Sequence, residues 1–208
     1  SVPTDGIGTP HHTEAELAPD GHLLANDFTL GRTWLFDVND ALHPRVIASF
    51  NDVAGFSHPH TFARLADGNV LTTFQYRANR MRRTRSDSAG MRGMPEMKMG
   101  AGGPHSTGGL VEMDERGNPI RSRSAVDPAV RDTLLYPYSA LPIRALDRIV
   151  STTTDMNLAD SSATSEWIQI WRLSDLKLLR SIKLPPGPRG DENKYTGEAR
   201  LLPDGHSV

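Results

Sequence analysis

Two histidine-rich stretches carry the residue types best suited to chemistry. The first is His11-His12-Thr13-Glu14 and the second is Ser57-His58-Pro59-His60-Thr61. Imidazole nitrogens ligate zinc, copper and iron, and a nearby carboxylate such as Glu14 can ligate beside them or orient them. Four histidines in two related contexts predict a metal site. Alternate residues of a strand face one side, so His58 and His60 can reach a common ion, whereas adjacent His11 and His12 need a bulge to do so. The remaining histidines sit in plainer settings. His22 and His206 follow Asp-Gly pairs and read as solvated turn residues, and His43, before Pro44, reads as an inert loop residue.

The elements that must position these histidines recur along the chain. His12 leads through Ala15 and the Asp20-Gly21 turn into Leu23-Leu24, and His60 leads through Ala63 and Asp67-Gly68 into Val70-Leu71. Tyr136 to Thr153 repeats this outline, as does Thr196 to His206. Taking His12, His60, Tyr138 and Thr196 as equivalent gives spacings of 48, 78 and 58 residues. Removing an insertion of roughly 30 residues brings the period near about 50, within the range of β-propeller blades.

The second half of each repeat reads as an outer hairpin. Thr33–Val38 precedes Pro44–Phe50, Gly109–Asp114 precedes Pro119–Ser122, and Trp167–Leu173 precedes Leu178–Leu184, each across a polar turn. The expectation is an all-β propeller of four-stranded blades at about 11–56, 57–130 and 134–190, with an incomplete fourth over 195–208. About three and a half blades cannot close a ring, since propellers use about four to eight. The chain, which opens at Ser1, therefore reads as a processed or truncated part of a longer one, leaving apolar blade faces exposed.

The insertion, residues 77–105, opens with an arginine cluster and holds five of the seven methionines. Met94, Met97 and Met99 are soft thioether ligands that suit Cu(I). The plainer reading is an adaptable loop packed over a blade edge. His105 ends this loop and would reach the channel if the loop folds over it. In a propeller the first strand of each blade lines the central channel, so equivalent strand starts form a ring. That ring would comprise His11, His12, His58, His60 and then Tyr138 and Glu198, with Glu14 close by.

Composition narrows the function classes. The 208 residues include no cysteine, which excludes disulfides, thiolate sites and cysteine nucleophiles. A net charge of −2 offers no field for nucleic acid or an anionic membrane. No apolar run approaches the roughly 20 residues of a membrane span. The compartment is not readable: secreted, periplasmic and cytoplasmic locations all stay open.

The order of features resembles the selenium-binding protein family, which includes bacterial methanethiol oxidases. The features are the early His11-His12 pair, the histidine-rich segment Ser57–Leu71, Gly108-Gly109-Leu110-Val111, and the Tyr138–Thr153 strand pair. Ile168-Gln169-Ile170-Trp171 and Glu198-Ala199-Arg200-Leu201-Leu202 complete the series. The resemblance implies a seven-bladed propeller. Its methanethiol oxidases imply copper held by histidines and the conversion of methanethiol to formaldehyde, sulfide and peroxide. The family's cysteines have no counterpart here, so selenium binding through sulfur is not implied.

Three function classes stay open. The first is a copper-dependent oxidase of a small thiol, with zinc or another divalent ion as the alternative occupant. The second is a non-catalytic propeller whose rim binds a protein or small ligand, since fold alone never fixes function. The third is a metal-dependent propeller lyase or lactonase with a histidine base.

Overall fold

The computed structural model describes residues 10–78, 106–130, 134–156, 166–190, 196–204 and 207–208. Among the described residues twelve strands form three four-stranded antiparallel sheets, each strand pairing with its sequence neighbour. The first sheet holds β1 (Pro10–Thr13), β2 (His22–Asp27), β3 (Arg32–Asp37) and β4 (Arg45–Phe50). The second holds β5 (Phe56–Arg64), β6 (Val70–Arg77), β7 (Thr107–Met113) and β8 (Pro119–Ser124). The third holds β9 (Pro137–Ile143), β10 (Arg148–Thr153), β11 (Trp167–Arg172) and β12 (Leu178–Lys183). The fold is all-β and propeller-like, with one 3-10 turn at Arg144–Leu146 as the sole helical piece among the described residues. No described helix is long and apolar enough to cross a membrane.

Local chemistry explains the hairpins. Asp114 Oδ1 accepts the backbone N–H groups of Arg116 and Asn118, both at 2.9 Å, which closes the β7–β8 turn before the chain reverses. The Gly108-Gly109 pair answers a different need. A Cβ at Gly108 would lie 1.9 Å from the Phe74 carbonyl oxygen, and one at Gly109 would lie 2.3 Å from that of Arg123. Glycine is therefore required where β7 passes close to both of its neighbours.

Strand alternation divides the core between the two sheet interfaces. Val70 and Phe74 of β6 join Leu24 and Leu35 of the first sheet, with Phe62, Val111 and Met113. Leu71 and Leu110 point the other way, onto Ile149, Trp171 and Leu176 of the third sheet. The period-2 pattern of a strand buried on both faces is what allows one sheet to serve two cores.

Where the first hairpin of a fourth blade is expected, the described residues 196–204 and 207–208 form no strand, although the Leu202 N–H donates to the Ser207 carbonyl at 2.8 Å. The segment from Thr196 to Arg200 finds no antiparallel partner among the described residues, so no ladder defines it. Side chains hold it instead. The Thr153 N–H donates to Thr196 Oγ1 at 3.1 Å, and the Ala199 N–H donates to Ser139 Oγ at 3.1 Å.

Leu71 has no exposed surface, so Leu71→Ala is expected to cost about 2–5 kcal/mol in urea unfolding. Leu42 is 86% exposed, and Leu42→Ala is expected to stay within about 0.5 kcal/mol of the parent. Equal losses at the two positions would contradict this assignment of the core.

Candidate metal centre

The three sheets bring their first strands side by side, and histidines from two of them converge. Ligand atoms of His11, His12 and His60 all lie within 4.8 Å of one another. Ring centroids are 4.3 Å apart for His11–His12, 5.1 Å for His11–His60 and 4.3 Å for His12–His60. Adjacent histidines share one side because the β1–β2 register shifts between Pro10 and His12, leaving His11 as the extra residue of a bulge.

Hydrogen bonds fix the tautomers. His60 Nδ1 lies 2.8 Å from the Tyr138 carbonyl oxygen, which can only accept, so the ring proton sits on Nδ1 and Nε2 carries a lone pair. His12 Nδ1 faces Glu198 Oε1 at 3.4 Å, and Glu198 is itself held by Arg200. Nε2 of both His12 and His60 is buried with no hydrogen-bond partner. A buried acceptor left unmet costs about 1–3 kcal/mol, so two such nitrogens side by side suit a cation between them. A carbonyl or carboxylate on the far ring nitrogen is the usual support of a metal-bound imidazole.

Electrostatics point the same way. Burial pushes His60 down to about 2, helped by the neighbouring His12 and His11 and opposed by the Tyr138 carbonyl. Burial also lowers His12, His11 adds to the effect, and Glu198 opposes it. Both rings are thus neutral near pH 7, the form that donates a lone pair. The donor set fits copper, zinc or iron by its chemistry.

His58 does not join this group. It takes a positive φ of 58°, and β5–β6 pairing is irregular between Pro59 and Phe62. That break cancels the alternation that would align His58 with His60. The His58 ring packs instead between Phe28, 5.4 Å away, and Tyr76, 5.1 Å away. Glu14 also stays apart, with its carboxylate Oε2 accepting from Arg64 Nε at 3.1 Å. Burial outweighs the attraction of Arg64 and raises Glu14 to about 7, with Glu115 and Asp20 adding to the rise. Tyr138 serves through its carbonyl, although its ring also stacks 3.9 Å from His60. Met94, Met97, Met99, His105 and His206 lie outside the described residues.

Two features escaped the sequence reading. Asn26 of β2 is fully buried and bonds to both β1 and β5, although nothing in its local sequence marks it. His22 is no solvated turn residue. Its ring nitrogen lies 2.9 Å from Glu115 Oε1 and 3.1 Å from Asp20 Oδ2, and Arg64 Nη1 reaches Glu115 Oε2 at 3.6 Å. This network ties the base of the first sheet to the second across 93 residues of chain. His43, by contrast, is exposed and pairs with Asp40.

A cavity of about 670 Å³ lies between the first strands, lined among others by Thr13, Ala63, Ser139, Glu198 and Ala199 but by no histidine. Glu198 both lines it and faces His12, so the cavity adjoins the cluster.

No family model matches the chain, and no curated protein matches it. Among solved structures it is similar to a hypothetical selenium-binding protein from Sulfolobus tokodaii. That match has 14% identity and a TM-score of 0.59, and covers 93% of this chain and 41% of the other. It is also similar to the periplasmic gluconolactonase of Pseudomonas aeruginosa, at 12% identity and a TM-score of 0.52 over 88% of this chain and 42% of that one. The chain thus spans about two fifths of the length of these structures. At such identities the likeness is one of fold.

The depressed His60 has a consequence for stability. Below its ordinary value of 6.5 the unfolded chain takes up a proton that the folded chain refuses until about pH 2. Its contribution is therefore intact above pH 6.5 and falls as pH drops, by up to about 1.4 kcal/mol per pH unit. Glu14, raised to about 7, acts in the opposite sense over the same window. The loss is therefore read as the difference between parent and His60→Gln in urea unfolding of metal-free protein at pH 7.5 and 5.5. The parent should lose more than the variant does, and equal slopes would count against a neutral buried His60.

Proposed function

We propose that this chain contributes a histidine-coordinated metal centre at the channel of a β-propeller, and that a small thiol is oxidised there. The observation supporting the centre most directly is the pair of buried, unpartnered Nε2 atoms of His12 and His60 beside His11. Three imidazoles with a carboxylate close by suit copper, with zinc or another divalent ion as the alternative. Bound there, copper would supply Lewis acidity and a redox couple between a thiol and O₂.

The chain's own residues do the positioning. The Tyr138 carbonyl holds the His60 proton on Nδ1, and Glu198 Oε1 faces the corresponding nitrogen of His12. The burial of both Nε2 atoms keeps water from them. The cavity gives a small molecule room beside Glu198, the carboxylate that faces His12. The thiol follows from the sequence resemblance to the selenium-binding protein family and its methanethiol oxidases. The fold is shared with a hypothetical selenium-binding protein and with a gluconolactonase alike, so it does not choose the substrate.

Metal content per chain and metal affinity test the centre. His11→Ala, His12→Ala and His60→Ala should each weaken binding by at least about tenfold, the loss typical even of supporting residues. His58→Ala should bind as the parent does, because its ring lies between Phe28 and Tyr76. Copper-loaded protein given methanethiol and O₂ should release sulfide, and zinc-loaded protein should not. A parent chain that binds no transition metal would remove the reading altogether. Tight copper binding without sulfide release would remove the thiol and leave the centre.

A further inference from the structure

Asn26 makes three side-chain hydrogen bonds, and each falls on the backbone that carries the histidines. Its Oδ1 accepts the His12 N–H at 2.7 Å. Its Nδ2 donates to the Pro59 carbonyl at 2.6 Å and to the His60 carbonyl at 3.1 Å. The residue is fully buried in β2, the strand next to the bulge that exposes His11 and His12 together. Among the described residues no ladder hydrogen bond joins the first strands of the two sheets.

We infer that Asn26 is a positioning residue of the metal centre, whose amide fixes the separation of the two ligand-bearing strands. This inference rests on the metal reading above. With the backbone of His60 held by Asn26 and its ring by the Tyr138 carbonyl, the direction of Nε2 is determined from both ends. His12 is held in the same double way, by Asn26 at its N–H and by Glu198 at its ring. The amide is the one side-chain group that offers an acceptor and two donors in a plane at this reach. A carboxylate of the same shape has only acceptors, so Asn26→Asp would set its oxygens against two carbonyl oxygens.

A second interface supplies the control. Gln169 of β11 is fully buried and donates to the Ala125 carbonyl at 2.9 Å, a clamp between the third and second sheets away from the first strands. It touches no histidine of the cluster. A purely structural clamp would lose stability in either place and leave the ligand field of a bound ion unchanged.

The test uses Co²⁺ alone as probe, because its visible bands report ligand number and geometry. Parent, Asn26→Asp and Gln169→Glu are titrated with Co²⁺, and each is also unfolded thermally without metal. Asn26→Asp should bind about 10–100-fold more weakly, the range for loss of a supporting group, with altered bands in the folded protein. Gln169→Glu should lose thermal stability while keeping the parent's affinity and spectrum. Asn26→Ser, a milder change, carries the same comparison if Asn26→Asp does not fold. Unchanged binding and bands in the Asn26 variants would overturn the inference while leaving the centre intact. An equal loss in Gln169→Glu would overturn it as well, by showing general loosening. A parent that takes up no Co²⁺ would overturn the metal reading and this inference with it.

Discussion

A propeller must satisfy the backbone of its innermost strands, and each such strand has a ladder partner on one edge only. The other edge faces the neighbouring sheet, buried, where an unmet carbonyl costs about 1–3 kcal/mol. Side chains from the preceding sheet meet that need here. Asn26 reaches Pro59 and His60, Thr73 Oγ1 donates to Tyr138 at 2.9 Å, and Gln75 reaches Pro137. The Thr196 hydroxyl donates to the Thr153 carbonyl at 2.6 Å. Apolar packing supplies most of the stabilisation at each interface, but it is non-directional. The polar clamps set the register of one sheet against the next.

The candidate centre depends on that register. His11 and His12 come from one sheet and His60 from another, so the cluster exists only where two sheets meet. The carbonyl that orients His60 comes from a third sheet, and the carboxylate facing His12 comes from the segment after it. Four consecutive parts of the chain thus converge on one small volume. Burial then keeps the His12 and His60 rings neutral, which is also the condition for donating to a metal.

At the other end of the first strands the problem is solved with charge. Glu14, Arg64, Glu115, His22 and Asp20 form a chain of contacts from the first sheet to the second. Glu14 shows the limits of such pairing, because burial raises it to about 7 despite a hydrogen-bonded arginine. The fold shared with both a hypothetical selenium-binding protein and a gluconolactonase says nothing about which chemistry follows. The side chains at the strand starts carry that question.

The sequence alone determined the strands, their grouping in fours and the all-β class. Alternation and Asp-Gly turns are local signals, repeated often enough along 208 residues to be read without a partner strand in view. It also marked His11, His12, His60 and Glu198, because histidines and acids at equivalent repeat positions suggest a ring. Tertiary structure decided which of these meet. A bulge brought His11 beside His12, and a positive φ at His58 turned that residue away from His60. Neither irregularity is written in residue type, because each follows from how a strand fits the sheet beside it. The same holds for Asn26 and Glu115, polar residues made significant by neighbours about 34 and 93 residues away. Periodicity is local and legible, whereas the pairing of distant groups is fixed only when the sheets pack.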